Sequence, residues 1–235
     1  MIKAPRGLGD LLEPPLHGNQ GDREPPRGLA TPLGLTVAIS REAGARGGSI
    51  AKRLGKRLGW QVYTQDLLEF ICGNEAARSQ LLEDIPPETE AWADYQLQRL
   101  REEKVVNPKV ELGEMPRLIL TLAARGRVIL VGRGAGYLLP RDSTLHARVV
   151  APLEDRVFYM AQWLRLTHED AAQQVRDRDE KRAEFLIKYF NRRSGDLYDY
   201  DLILNSFLLG EDLCTDLIAN AVRGKEELLQ PDEDD

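Results

Sequence analysis

Ile39-Ser40-Arg41-Glu42-Ala43-Gly44-Ala45-Arg46-Gly47-Gly48-Ser49-Ile50-Ala51 is the stretch that decides the fold. Before it, Leu35 to Ser40 forms a short strand-like run. After it, Ile50, Leu54 and Leu58 recur at i, i+4 and i+8, one face of a helix. A strand, a glycine-rich turn and a helix in that order can cradle phosphate. Glycine lets successive N–H groups converge on an anion, and the helix N-terminus adds its positive dipole end. The candidate phosphate-binding residues are Arg41, Gly44, Ala45, Arg46, Gly47, Gly48 and Ser49. Ser49, in the first helical turn, is placed to ligate Mg²⁺ or to cap the helix. Any doubly wound protein has tight βα turns, so glycine and serine alone do not decide the function.

A full P-loop reads G-x-x-x-x-G-K-[ST]. Here Gly47 or Gly48 stands where the lysine belongs. That lysine neutralises the β- and γ-phosphates. Binding ATP therefore requires another cation, and Arg41 and Arg46 flank the loop.

The rest of the chain alternates in period. Arg127–Val131, Leu145–Val150 and Tyr200–Leu204 read as strands. Leu153, Val157, Met160 and Leu164 mark a helix after Pro152, and Thr167-His168-Glu169-Asp170 resembles a capping sequence for another, through about Tyr189. Leu213, Leu217, Ile218 and Ala221 line a last helix. Short strands separated by helices predict an α/β fold with a mostly parallel sheet. Residues 1–34, with six of the 13 prolines, read as a disordered Pro/Gly-rich tail, and 230–235 as an acidic tail. The domain is expected over 35–229, with a helical, acidic and aromatic insertion at about 74–110.

Composition narrows the function. A net charge of −6 argues against bulk nucleic-acid binding. Two distant cysteines exclude a disulfide scaffold, and no apolar run approaches the roughly 18 residues of a membrane span. Without a secretory pattern, a cytoplasmic location is the expectation. Of 32 cations, 24 are Arg, which suits phosphate but also GC-rich coding.

Two further clusters carry chemistry. Val131-Gly132-Arg133-Gly134-Ala135-Gly136 follows a strand, so Arg133 lies at the sheet edge where open α/β proteins bind ligands. In Arg176-Asp177-Arg178-Asp179-Glu180-Lys181-Arg182, Arg178 and Arg182 share a helix face and Asp179 pairs with Arg182 at i, i+3. Such a face can close over a triphosphate, although alternating charge is also ordinary solvated surface. A dinucleotide-binding reading fails because Tyr137 takes the place of the third glycine in G-x-G-x-x-G.

Taken in order, these pieces resemble the cytidylate kinase-like family of P-loop proteins. The matching residues are Ile39-Ser40-Arg41-Glu42 with Gly44, Gly47 and Ile50-Ala51, then Val131-Gly132-Arg133-Gly134-Ala135 and Val149-Val150-Ala151-Pro152-Leu153-Glu154-Asp155-Arg156. Asp179-x-x-Arg182 and Tyr200-Asp201-Leu202-Ile203-Leu204-Asn205 complete them. The resemblance spans about residues 35–225. It implies a three-layer P-loop kinase fold with a five-stranded sheet, an acceptor-side insertion and a lid at about 167–193. It also implies ATP and Mg²⁺ as ligands, Ser49 as the metal contact, Arg133 as the acceptor contact, and Arg178, Asp179 and Arg182 as lid residues in catalysis. Asp179 is expected to orient a lid arginine rather than act as a base. The chain departs from the family at Arg46, where glycine is common, at Gly134, where true cytidylate kinases carry an acid, and at Thr64, which follows Tyr63 in place of aspartate. The activity implied is transfer of the ATP γ-phosphoryl group to a small acceptor such as a nucleoside monophosphate. The rival is a catalytically degenerate nucleotide-binding module.

Overall fold

The computed structural model describes residues 32, 34–83, 85–111 and 113–229. The two expected tails lie outside these residues, apart from Pro32 and Gly34. Five strands form one sheet: β1 (Thr36–Arg41), β2 (Gln61–Tyr63), β3 (Val128–Val131), β4 (Thr144–Val150) and β5 (Leu202–Asn205), in spatial order β2-β3-β1-β4-β5. Every pairing is parallel, and β1 is the central strand. Parallel strands need crossovers, and helices supply them here. The helices are α1 (Gly47–Leu58), α2 (Gln65–Gly73), α3 (Glu75–Leu82), α4 (Pro87–Glu102), α5 (Met115–Ala124), α6 (Ala135–Leu138), α7 (Leu153–Leu164), α8 (His168–Phe190) and, after the last strand, α9 (Ser206–Leu229). The strand expected over 35–40 is displaced by one residue. α9 is interrupted at Gly210, whose φ of 73° is not helical.

The sheet is buried on both faces, so its strands read as near-continuous apolar runs. Val37, Ile39, Ile129, Val131, Leu145, Ala147 and Val149 face α1 and α9, meeting Ile50, Leu54, Ile218 and Val222. Ala38, Val128 and Leu130 face the other way, into a core with Leu68, Trp92, Ile119, Leu122 and Phe190 from α2, α4, α5 and α8. The segment expected as an insertion takes the form of α3 and α4, and Trp92 on α4 is only 1% exposed within that core.

The period of two gives β1 and β4 a consequence for the site. Ser40 pairs in register with Arg148, and His146 lies two residues before Arg148. These three polar residues alternate with the apolar set facing α1 and α9, so they lie together on the opposite face of the sheet's centre.

Two glycine substitutions test the packing. A Cβ on Gly55 would lie 2.4 Å from Val62 Cγ2 and 2.9 Å from the Trp60 carbonyl oxygen. Overpacking of about 1–3 kcal/mol outweighs the roughly 1 kcal/mol of helix propensity that alanine gains, so G55A lowers stability. Gly224 in α9 meets nothing within 4 Å, and G224A raises stability by up to about 1 kcal/mol. Urea melts of both variants check the opposite signs.

Candidate functional site

The C-terminal ends of β1, β3 and β4 lie side by side, and Ser40 to Glu42, Gly132 to Gly134 and Arg148 from them line one cleft. After β1, residues 42–46 turn into α1. Gly44 takes φ 81°, and Arg46, the residue before the helix, takes φ 60°. The loop is tied down from several sides. Glu42 N–H donates to Val149 O at 3.1 Å, Ala151 N–H donates to Glu42 Oε2 at 3.2 Å, and Ser206 Oγ donates to Ala45 O at 2.9 Å. The first-turn amides of α1 have no acceptor within the helix, the arrangement by which a helix N-terminus can take an anion.

The candidate residues do not all converge. Arg46 turns away from the loop, and its guanidinium lies 5.0 Å from the centre of the Tyr159 ring on α7. Its left-handed backbone explains why glycine suits that position. Ser49 caps no helix end; its hydroxyl donates to Glu211 Oε2 on α9, and Glu211 also accepts from Arg53 Nε at 3.1 Å. A hydroxyl beside a carboxylate is a hard-oxygen pair of the kind Mg²⁺ takes, usually with phosphate oxygens and water completing its shell. Among the described residues, no group of three or more His, Cys, Asp or Glu side chains could hold a metal by itself.

Arg41 stays in the cleft, and two glycines make room for it. A Cβ on Gly47 would lie 2.7 Å from Arg41 Cβ, and one on Gly132 would fall 1.9 Å from Arg41 Nη1. The side chain thus leaves β1 across the start of α1, reaches the loop after β3, and donates to Gln65 Oε1 at 3.4 Å. Burial, aided by the charges of Arg182 and Arg133, lowers its pKa to about 9. Burial also lowers the pKa of Arg133 and of Arg182. Three cations whose charged forms burial disfavours are stabilised by an anion beside them.

α8 is docked on the phosphate loop. Asp179 Oδ1 accepts from Ala43 N–H at 2.8 Å, its Oδ2 lies 2.5 Å from Arg156 Nη1, and Arg182 Nη1 donates to Arg41 O at 3.2 Å. Arg156, on the first turn of α7, also donates to Ala43 O at 3.1 Å and to Ala151 O at 3.0 Å. Asp179 sits 3.6 Å from Arg182, so it binds both the loop and its neighbouring arginine. Arg178 is exposed at the cleft mouth, where it donates to Gln174 Oε1 at 3.3 Å.

Between these elements lies a cleft of about 660 Å³. Arg41, Arg133, Arg178, Asp179 and Arg182 line it, as do Arg148, Lys181, Gln65 and Asp66, which the sequence reading missed. Arg133 pairs with Glu69 on α2 and stacks 5.4 Å from the Phe185 ring, yet its Nε is buried with no hydrogen-bond partner. A buried orphan N–H on an arginine that lines this cleft fits a phosphate or carboxylate oxygen. Arg148 had one sequence signal, a cation inside a mostly apolar strand. Asp66 lies two residues after Thr64, which caps α2 by accepting from Leu67 N–H at 3.3 Å.

A parallel sheet in the order β2-β3-β1-β4-β5, with a glycine loop opening α1 and arginines around it, defines a three-layer P-loop kinase fold. The chain belongs to the cytidylate kinase-like family, whose model matches residues 36–207. It is 25% identical over 182 residues to a cytidylate kinase of Ignicoccus hospitalis, covering 77% of this chain and 95% of that one. A crystal structure of an uncharacterized protein from Eubacterium ventriosum superposes with a TM-score of 0.57 at 18% identity, covering 81% of this chain and 98% of that one. Shikimate kinase from Acinetobacter baumannii gives a TM-score of 0.43 at 11% identity, over 83% of this chain and 96% of that one. No helix among the described residues is long and apolar enough to cross a membrane.

Burial holds the His146 imidazole, 4% exposed, at a pKa of about 4 against an ordinary 6.5. Between those values the unfolded chain binds a proton that the folded chain refuses, so His146 withdraws stability as pH falls from 6.5 to 4. At about 1.4 kcal/mol per pH unit, the loss reaches about 3 kcal/mol. Urea midpoints at pH 7 and pH 5 should therefore differ more in the wild type than in H146Q. Parallel losses would remove this role.

Proposed function

We propose that this chain is an ATP-dependent phosphotransferase that moves the γ-phosphoryl group to a small acceptor held beside Arg133. The observation that carries this reading is the convergence of Arg41, Arg133, Arg148 and Arg182 on one cleft beside a glycine loop and a helix N-terminus. Phosphoryl transfer asks the protein mainly for positioning and charge neutralisation, which fixed guanidinium groups supply without a covalent step. The amides that open α1 would hold the triphosphate, and Arg41 would provide the charge that the missing lysine provides elsewhere. Ser49 and Glu211 would hold Mg²⁺, which neutralises phosphate charge when bound. Arg133 Nε, buried and unpaired, would take an oxygen of the acceptor. Arg178 and Arg182 would face the transferred group from α8, with Asp179 orienting Arg182. A cytidylate kinase among the relatives makes CMP the first acceptor to try.

The second reading, a nucleotide-binding module without turnover, rests on the missing loop lysine, with Gly47 or Gly48 in its place. Both need the triphosphate, and ADP release separates them. Calorimetry with ATP and Mg²⁺ should show binding that R41A weakens about tenfold or more, since a hydrogen bond to a charged group is worth about 1.5–3 kcal/mol. R46A should change it by less than about threefold, because Arg46 lies on Tyr159. Equal losses in the two variants, or none in either, would overturn the assignment of the loop charge to Arg41. ADP release with CMP, other nucleoside monophosphates or small alcohols supports the transferase; binding without release with any of them supports the module.

A further inference from the structure

Ser40 and His146 form a pair that positioning a triphosphate does not use. Ser40 Oγ lies 2.9 Å from His146 Nε2, and His146 Nδ1 lies 2.8 Å from the backbone oxygen of Asp199. A carbonyl oxygen only accepts, so Nδ1 carries the hydrogen and donates to it. In the neutral ring Nε2 is then the bare nitrogen, and Ser40 Oγ–H donates to it. Burial keeps the ring neutral across the physiological range. A hydroxyl giving its proton to an imidazole whose other nitrogen is locked is the arrangement that activates a serine nucleophile.

The surroundings fit that chemistry. Ser40 is the penultimate residue of β1, directly before Arg41 and the glycine loop, and it lines the arginine cleft. Arg148 is its register partner on β4, fixed by Tyr200 Oη at 3.3 Å and Glu42 Oε1 at 3.5 Å. The imidazole needs space as well: a Cβ on Gly136 would fall 2.2 Å from its Cε1, so the glycine after Ala135 admits the ring to this position.

We propose that Ser40 is an internal phosphoryl acceptor, phosphorylated by the nucleoside triphosphate bound in the same cleft. Ser40 Oγ forms the new bond to the γ-phosphorus, and the bond from that phosphorus to the β–γ bridging oxygen breaks, leaving a nucleoside diphosphate. The hydroxyl proton passes to His146 Nε2 and then, because the buried imidazolium is a strong acid, out through the cleft to water. The phosphoserine dianion meets Arg148, Arg41 and Arg182. This rests on the cleft binding a triphosphate, and the experiment separates the two.

Full-length protein is incubated with ATP and Mg²⁺, stripped of nucleotide, weighed intact and mapped by peptide. The expected result is a gain of one phosphoryl group, acid-stable as a serine ester is and a phosphohistidine is not, located on Ser40 and absent from S40A. H146Q should label about a hundredfold more slowly or worse. If H146Q does not fold, R148Q serves, with slower labelling expected. The nucleotide-free phosphorylated chain should melt above the unmodified chain, because the dianion offsets the crowded guanidinium groups. Calorimetric binding of ATP without a mass gain, a phosphoryl group mapped elsewhere, or undiminished labelling in the folded variant overturns this proposal alone. No binding heat at all overturns it together with the reading of the cleft.

Discussion

A guanidinium removed from water must find an opposite charge or give up part of its basicity. At the edge of this sheet Arg41, Arg133 and Arg182 have been removed from water within reach of one another, and burial pushes the pKa of each down. Nearby carboxylates offset them only in part. Glu69 pairs with Arg133, Asp179 divides itself between Arg156 and Arg182, and Glu42 is taken up by Arg148, Arg156 and the Ala151 amide. What remains is a positive cleft. The pairs that do form are structural, since each ties a loop or a helix into place.

Arg41 shows how packing turns a sequence defect into a substitution. Its first side-chain carbons lie against Gly47, where even one added carbon would collide. A side chain at residue 47 and this arginine exclude each other, so that glycine and the arginine belong to one solution, whereas a Cβ on Gly48 would meet nothing within 4 Å. The far end of the side chain needs a second glycine, Gly132, in the loop after β3. Two glycine clusters that look independent in the sequence are therefore joined by a single arginine.

Much of this was legible beforehand because it is local. The βα alternation, the glycine turn, the cap of α8 at Thr167, which accepts from Asp170 N–H at 3.1 Å, and the edge position of Arg133 follow from spacing and residue type. β2 was harder, since three residues carry no period. The placement of Arg46 was not legible, for a physical reason. Its place in the loop says nothing about a left-handed backbone that sends the side chain to Tyr159, 113 residues away in number. The contacts of Arg148, Arg156 and the Ser40–His146 pair are hard to read for a related reason, since each is defined by partners on other elements. An apolar strand interrupted by His146 and Arg148 was the one available hint.

The same logic fixes the relation between α8 and the loop. Ala43 N–H points at the Asp179 carboxylate, which stands where an anionic ligand oxygen could equally stand. Because Asp179 sits on the same turn as Arg178 and Arg182, whatever binds that amide also sets how near those two arginines come to the cleft. Arg156 keeps the arrangement from being loose, since it holds both the Ala43 carbonyl and the carboxylate and is itself anchored on Ala151. An anion arriving at Ala43 must either displace Asp179 or settle beside it on the amides that open α1. The second route leaves the Arg156–Asp179 pair intact and Arg182 already at the cleft wall. It avoids stripping a buried arginine of its partner, which costs about 3–5 kcal/mol, so the docked helix and a bound anion are compatible rather than competing.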